Sequence, residues 1–221
     1  MTEFIRLLEY IGTIAFSVSG ALVACGAGLD IFGVVFVGGI TAFGGGIIRD
    51  VLLGITPPAI FSNFSTFLVA VISAVVVFIL AYINKEKFDS LKIKIERVNE
   101  FFDAAGLAAF TVTGAEVGFA NGYSENLLII ITVGMITGVG GGIMRDVLID
   151  TTPYIFKKRI YALASIFGSV LYYILRSSIG SISFASVLGI LLVIAIRILA
   201  MKYCWSLPKI QLNSQNNSEF I

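Results

Sequence analysis

The chain has 221 residues, 57% hydrophobic and only 13% charged, with a formal net charge of +1. A soluble domain carries about 25% charged residues and has too much surface for its volume to hide this much apolar area, so the chain reads as an integral membrane protein. The small net charge excludes a bulk electrostatic case for nucleic acid. The absence of histidine excludes imidazole catalysis, and two cysteines make neither a Cys-rich metal site nor a disulfide framework.

A membrane-crossing helix needs about 20 mostly apolar residues. Seven stretches qualify: 5–27, 31–54, 60–83, 101–122, 126–149, 160–177 and 180–203. Between the third and fourth lies a polar stretch, 84–100, bearing Lys85, Lys87, Lys92, Lys94 and Arg97. After Trp205 the residues 206–221 are polar and Asn- and Ser-rich, and are expected to be disordered. Lys and Arg concentrate in 84–100, at Lys157, Lys158 and Arg159, and near the C-terminus, whereas the other side has only Arg6 and Arg176. The positive-inside rule therefore predicts a cytoplasmic C-terminus and linker and an outside N-terminus. Cys25 and Cys204 then lie near the cytoplasmic face as free thiols. Leu22-Val23-Ala24-Cys25 is like a lipoprotein cleavage box, but a signal peptide wants a positive start, and Glu3 and Glu9 outweigh Arg6.

The chain repeats itself. Ala15–Ala21 (AFSVSGA) matches Ala109–Ala115 (AFTVTGA) at an offset of 94, and Gly44–Leu52 (GGGIIRDVL) matches Gly140–Leu148 (GGGIMRDVL) at an offset of 96. Thr56-Pro57 matches Thr152-Pro153. Three spans per copy is an odd number, so the second copy enters from the opposite side and the repeats are inverted. The predicted fold is an all-α integral membrane protein of seven transmembrane helices. Residues 1–83 form the first three-helix repeat, 84–100 the cytoplasmic linker and 101–177 the second repeat. Residues 178–205 form the seventh helix and 206–221 the tail.

Three glycines in a row are poor helix formers, so Gly44, Gly45, Gly46 and Gly140, Gly141, Gly142 are expected to kink or unwind helices 2 and 5. Interrupted helices at matching places of two halves point to a permeation or binding site, whereas glycine otherwise simply lets helices pack closely. Arg49-Asp50 and Arg145-Asp146 place charges inside the membrane, which normally face the bundle interior. Adjacent residues on a helix point apart, so each arginine is expected to need another partner. The repeat offers Glu9 for Arg49 and its equivalent Asp103 for Arg145.

Gly20, Ala24 and Gly28, and Gly114, Gly118 and Gly122, read as close-packing stripes. Ser17, Ser19, Thr111 and Thr113 beside them are candidate pore hydroxyls or bond backbone carbonyls. Glu116 stands where the first copy has Leu22; it attracts cations, titrates or pairs with an unplaced residue. Pro57, Pro58 and Pro153 are expected to end helices 2 and 5. Tyr154, Tyr161, Tyr203 and Trp205 suit an interfacial belt, and Arg197 is expected to snorkel.

The doubled Gly-Gly-Gly-x-x-Arg-Asp-Val-Leu, the Asp103-Ala104-Ala105-Gly106-Leu107 start of helix 4 and the closing Trp205-Ser206-Leu207-Pro208 resemble bacterial relatives of the trimeric intracellular cation (TRIC) channels. Related sequences are also grouped under a domain named for glycine transport. The resemblance covers about residues 3–208. It implies a homotrimer in the inner membrane, with a pore inside each protomer lined by glycine-kinked helices 2 and 5. Potassium and sodium would pass passively. The alternative is a secondary transporter of a small zwitterion such as glycine, since inverted repeats and broken helices also typify carriers. An enzyme is disfavoured: no nucleophile elbow, P-loop or clustered metal-ligand set is present, and nothing calls for a cofactor or metal. The expected partners are potassium or sodium ions, membrane lipid and two further copies of the chain.

Overall fold

A computed structural model describes residues 2–157, 160–203 and 205. The expected disordered tail, Cys204, Lys158 and Arg159 lie outside the described residues. Seven long helices carry the fold: α1 (Glu3–Gly26), α2 (Ile31–Leu52), α3 (Phe64–Ile83), α5 (Lys92–Gly118), α6 (Leu127–Leu148), α8 (Tyr161–Ile179) and α9 (Ile182–Lys202). Two short ones, α4 (Lys85–Ser90) and α7 (Tyr154–Lys157), sit between them, and there is no strand among the described residues. Six of the long helices are apolar and long enough to cross a membrane; the seventh, α5, which begins in the polar linker, is not among them.

Helix starts follow capping chemistry. The side chains of Asp30, Asn63, Asn126 and Ser181 accept from the backbone N–H three residues on, opening α2, α3, α6 and α9. The polar linker is itself helical: it forms α4 and the first turns of α5, in keeping with its Lys- and Glu-rich composition. The ends of α2 and α6 differ from expectation, since both stop four or more residues before a proline. Ile55 N–H bonds back to the Asp50 carbonyl and Thr151 N–H to the Asp146 carbonyl, with Gly54 (φ 70°) and Asp150 (φ 54°) in the left-handed region. This glycine-type cap, not Pro57 or Pro153, ends each helix.

α5 is the central helix and is buried almost throughout from Asp103 to Gly118. It packs on α1, α6, α8 and α9, while α2 packs on α1, α3 and α6. α2 and α6 run as α-helix through both glycine triplets, so the expected unwinding does not occur. The reason is packing. A Cβ on Gly45 would meet the Thr137 carbonyl, and a Cβ on its equivalent Gly141 would meet the Thr41 carbonyl, the equivalent of Thr137. A Cβ on Gly140 would come 2.9 Å from the Gly45 Cα. Here the two helices cross backbone on backbone, an approach that only glycine permits.

The same reciprocity recurs between α1 and α5. Phe16 fills the space beside Gly106, and its equivalent Phe110 the space beside Gly12, with ring centroids 5.2 Å apart. Of the small-residue stripes, Gly20, Gly114 and Gly118 do pack closely, against Thr41, Thr137 and Ile130 respectively, and Ala24 is buried. Gly28 (φ 76°) and Gly122 (φ 88°) do not: nothing lies within 4 Å of an added Cβ. They follow α1 and α5 in the left-handed conformation that suits glycine.

Candidate functional site: two equivalent charge clusters

The first cluster lies where the N-terminal part of α1, the C-terminal part of α2 and the start of α3 meet. Arg49 Nε and Nη2 both reach Asp50 Oδ1, at 2.8 and 2.7 Å. Adjacent residues therefore do pair here, because the long arginine side chain curls back to its neighbour although their Cβ atoms diverge. Asp50 Oδ2 accepts the Ala59 N–H at 2.9 Å, which anchors the segment after α2.

The expected Glu9–Arg49 ion pair is not made; the guanidinium is spent on Asp50. Glu9 and Arg49 instead face one cavity of about 80 Å³. Its polar lining includes Thr13, Asn63, Thr66 and Thr137, Gly46 opens its wall, and Phe110 closes one side. Glu9 is held by no ion pair or hydrogen bond among the described residues. Two carboxyl groups, Glu9 and Asp50, and one guanidinium thus line the same cavity.

The second cluster is the counterpart in α5, α6 and α8, and the expected Asp103–Arg145 contact is made. Arg145 Nη1 lies 2.9 Å from Asp103 Oδ1, and Arg145 Nε 2.8 Å from Asp146 Oδ1. Tyr161 OH donates to Asp103 Oδ1 at 3.2 Å. Arg145 Nη1 also donates to Ser19 Oγ at 2.7 Å, and Ser19 donates to Asn99 Oδ1 at 2.6 Å. Asn99 borders a second cavity of about 310 Å³, walled by Leu22, Val23, Cys25, Phe88 and Ile95.

Two residues here contradict their expected roles. Arg197 of α9 does not snorkel: it is 1% exposed, with Nη2 4.0 Å from Asp103 Oδ2 and its guanidinium 4.7 Å from the Tyr161 ring centroid. Tyr161 is not in an interfacial belt but buried under that guanidinium. Nothing in the sequence pattern separates a buried arginine near a helix end from a snorkelling one; the Asp103 charge left over from Arg145 was the available signal. Tyr203 and Trp205 are exposed, as a belt requires, and the side chain of Tyr154 lies outside the described ones.

The remaining candidates are tied into the scaffold. Ser17 Oγ donates to the Ala70 carbonyl at 2.6 Å, and Thr111 Oγ1 shares a hydrogen bond with Ser165 Oγ at 2.6 Å. Thr113 Oγ1 donates to the Phe110 carbonyl at 3.4 Å. Of the four hydroxyls, Ser19 alone belongs to a charge cluster. Glu116 accepts from Tyr172 OH and pairs with Arg176 Nε at 3.3 Å, so its unplaced partner is on α8. These residues make a third cluster, distant in sequence from both arginine-aspartate motifs.

A bundle of long apolar helices enclosing paired buried charges defines an integral membrane protein of the transport type. The family model described as "Glycine transporter" matches residues 6–82 and 100–177, the two segments read as copies above. Curated relatives include the UPF0126 membrane protein YvgT of Bacillus subtilis, 35% identical over 92% of this chain and 95% of that one. The UPF0126 inner membrane protein YadS of Escherichia coli is 32% identical over 93% of this chain and 96% of its own. The chain belongs to this family. Among solved structures, a prokaryotic TRIC channel is 34% identical, covers 94% of this chain and 100% of its own, and superposes with a TM-score of 0.82. The TRIC orthologue from Rhodobacter sphaeroides is 32% identical over 92% of this chain and all of its own, with a TM-score of 0.81.

Proposed function

We propose that the protein is a passive channel for the monovalent cations potassium and sodium, working as a homotrimer with one pathway inside each protomer. The observation that carries this reading is the cavity holding Glu9 beside the Arg49–Asp50 pair. A carboxylate left free by its neighbour, ringed by Thr13, Asn63, Thr66 and Thr137, offers the oxygens that replace part of a cation's hydration shell. Turning Arg49 into an ion pair with Asp50 removes the repulsion a bare guanidinium would exert. Solved neighbours described as TRIC channels, 32–34% identical over more than nine-tenths of the chain, support the same reading.

In this reading α2 and α6 line the pathway. The halves are inverted repeats, for which the reciprocal Gly45–Thr137 and Gly141–Thr41 contacts are the support. Phe16 and Phe110 close the path beyond the cavity, and bending of α2 and α6 at their glycine triplets opens it. The N-terminus lies outside and the C-terminus in the cytoplasm of a bacterial-type inner membrane, in contact with its lipid. No step is enzymatic.

The cavity's two charge signs favour one rival, a carrier in which Arg49 holds the carboxylate and Glu9 the ammonium of a zwitterion such as glycine. Purified protein in liposomes with an outward potassium gradient separates the two. A channel dissipates the gradient on adding a proton ionophore, read by quenching of a pH-sensitive dye, with no amino acid present. Saturable glycine uptake without independent potassium flux would replace the channel by the carrier.

A further inference from the structure

The two charge clusters are equivalent by sequence, yet one lines a cavity and the other is fully buried. Ala70 and Ser165 take corresponding places against Ser17 and Thr111, as do Ala74 and Ser169 against Gly38 and Gly134. That register sets Thr66 of α3 opposite Tyr161 of α8. Thr66 lines the first cavity. In the second half the larger phenol fills the corresponding space, donates to Asp103 and carries the Arg197 guanidinium on its ring. Arg197 comes from α9, which stands outside the duplicated blocks, so the first half has no equivalent of it.

We propose that Tyr161 and Arg197 form a removable plug that keeps a second cation-accessible cavity, around Asp103, shut. This rests on the conduction reading and adds the element that blocks the path in the second half. Three observations set the plug on a route. Asp103 is the counterpart of Glu9, the free carboxylate of the first cavity. Gly142, the counterpart of the cavity-lining Gly46, faces Tyr161 OH, 3.1 Å from where its Cβ would stand. The Ser19–Asn99 hydrogen bond joins the cluster to the wall of the second cavity. Withdrawing the phenol and guanidinium leaves Asp103 held by Arg145 through Oδ1, with Oδ2 making no hydrogen bond. α9 thereby becomes the helix whose position decides whether the second half conducts.

The test compares Tyr161→Thr, which copies Thr66, and Arg197→Gln with the unaltered protein. Each is placed in a background with Cys25→Ala and Cys204→Ser and the reporter Ser19→Cys. A small cationic methanethiosulfonate is added to both sides of liposomes, and potassium flux is measured on the same preparations without the reporter. Both variants are expected to label roughly ten-fold faster at position 19 and to raise potassium flux several-fold. Tyr161→Phe, which keeps the ring and drops only the hydrogen bond to Asp103, labels at the unaltered rate if the plug is steric. Labelling at the unaltered rate in both Tyr161→Thr and Arg197→Gln overturns the proposal. So does failure of both to fold, which would make the pair a structural lock. An unaltered protein that passes no potassium sinks the conduction reading alone, because the labelling rates still report whether the plug excludes water.

Discussion

Around Arg49, the guanidinium, its aspartate and Glu9 border an open cavity, whereas around Arg145 the equivalent groups are buried, with Tyr161 and Arg197 packed beside Asp103. The motif Gly-Gly-Gly-x-x-Arg-Asp is the same in both places. The difference is therefore made by residues outside it: Thr66 against Tyr161 on the third helix of each half, and Arg197 on a helix with no counterpart. A repeated motif fixes where charge is held; the neighbours decide whether water reaches it. Burying the second cluster takes four ionised groups out of water, and that cost is offset because two arginines face two aspartates.

The comparison can be broken most forcefully at the helix crossing it shares. Gly45→Ala and Gly141→Ala should each abolish the folded protein, at a cost above ~3 kcal/mol, because the added methyl meets a carbonyl on the opposite helix. Yield of monodisperse protein in detergent measures this, and a normal yield of either variant refutes the backbone-on-backbone crossing. Next in size is the contrast between Arg145→Met and Arg49→Met. The first removes the guanidinium that both Asp103 and Asp146 contact in a buried site and should cost about 3–5 kcal/mol. The second leaves Asp50 beside a cavity that water can enter and should cost about 1–2 kcal/mol. Denaturation midpoints of the two variants in the same detergent give the ranking, and equal losses would erase the distinction between open and sealed clusters.

Glu9→Gln sharpens the functional side. Removing a carboxylate that holds no ion pair should leave stability within ~0.5 kcal/mol. Potassium flux should fall roughly five-fold, since the cavity loses a carboxyl oxygen that could stand in for a cation's hydration water. The smallest effect belongs to Gly28→Ala, which meets no neighbour but forces alanine to φ 76°. A loss of about 1 kcal/mol is expected from conformation alone, and a thermal midpoint equal to the parent's would contradict it.

Much of this was legible in the sequence. The hydropathy pattern located all seven long helices, and the repeat offset paired Asp103 with Arg145 across 42 positions. The same offset brought Glu9 to the cavity of Arg49 but not into an ion pair with it, because equivalence of position does not fix which carboxylate an arginine selects when its own neighbour is within reach. The glycine triplets were read through helix propensity, which is a weak prior; the close approach of α2 to α6 overrode it. Arg197 and Tyr161 were invisible as site residues because their role depends on α9 and α8 converging on Asp103, a tertiary fact with no local pattern. Arg176 was placed on the outer side of the membrane by counting charges, which does not show that it answers the charge of Glu116.

The reciprocal fit of α2 and α6 has a consequence for how the molecule could be divided. Each half carries both the notch made by its middle glycine and the threonine carbonyl ridge that fills the opposite notch. Each is thus self-complementary as well as complementary to the other. Two polypeptides severed within the α4 linker and made in the same cell are therefore expected to rebuild the crossing without a covalent join, which co-purification of one half with the other would show.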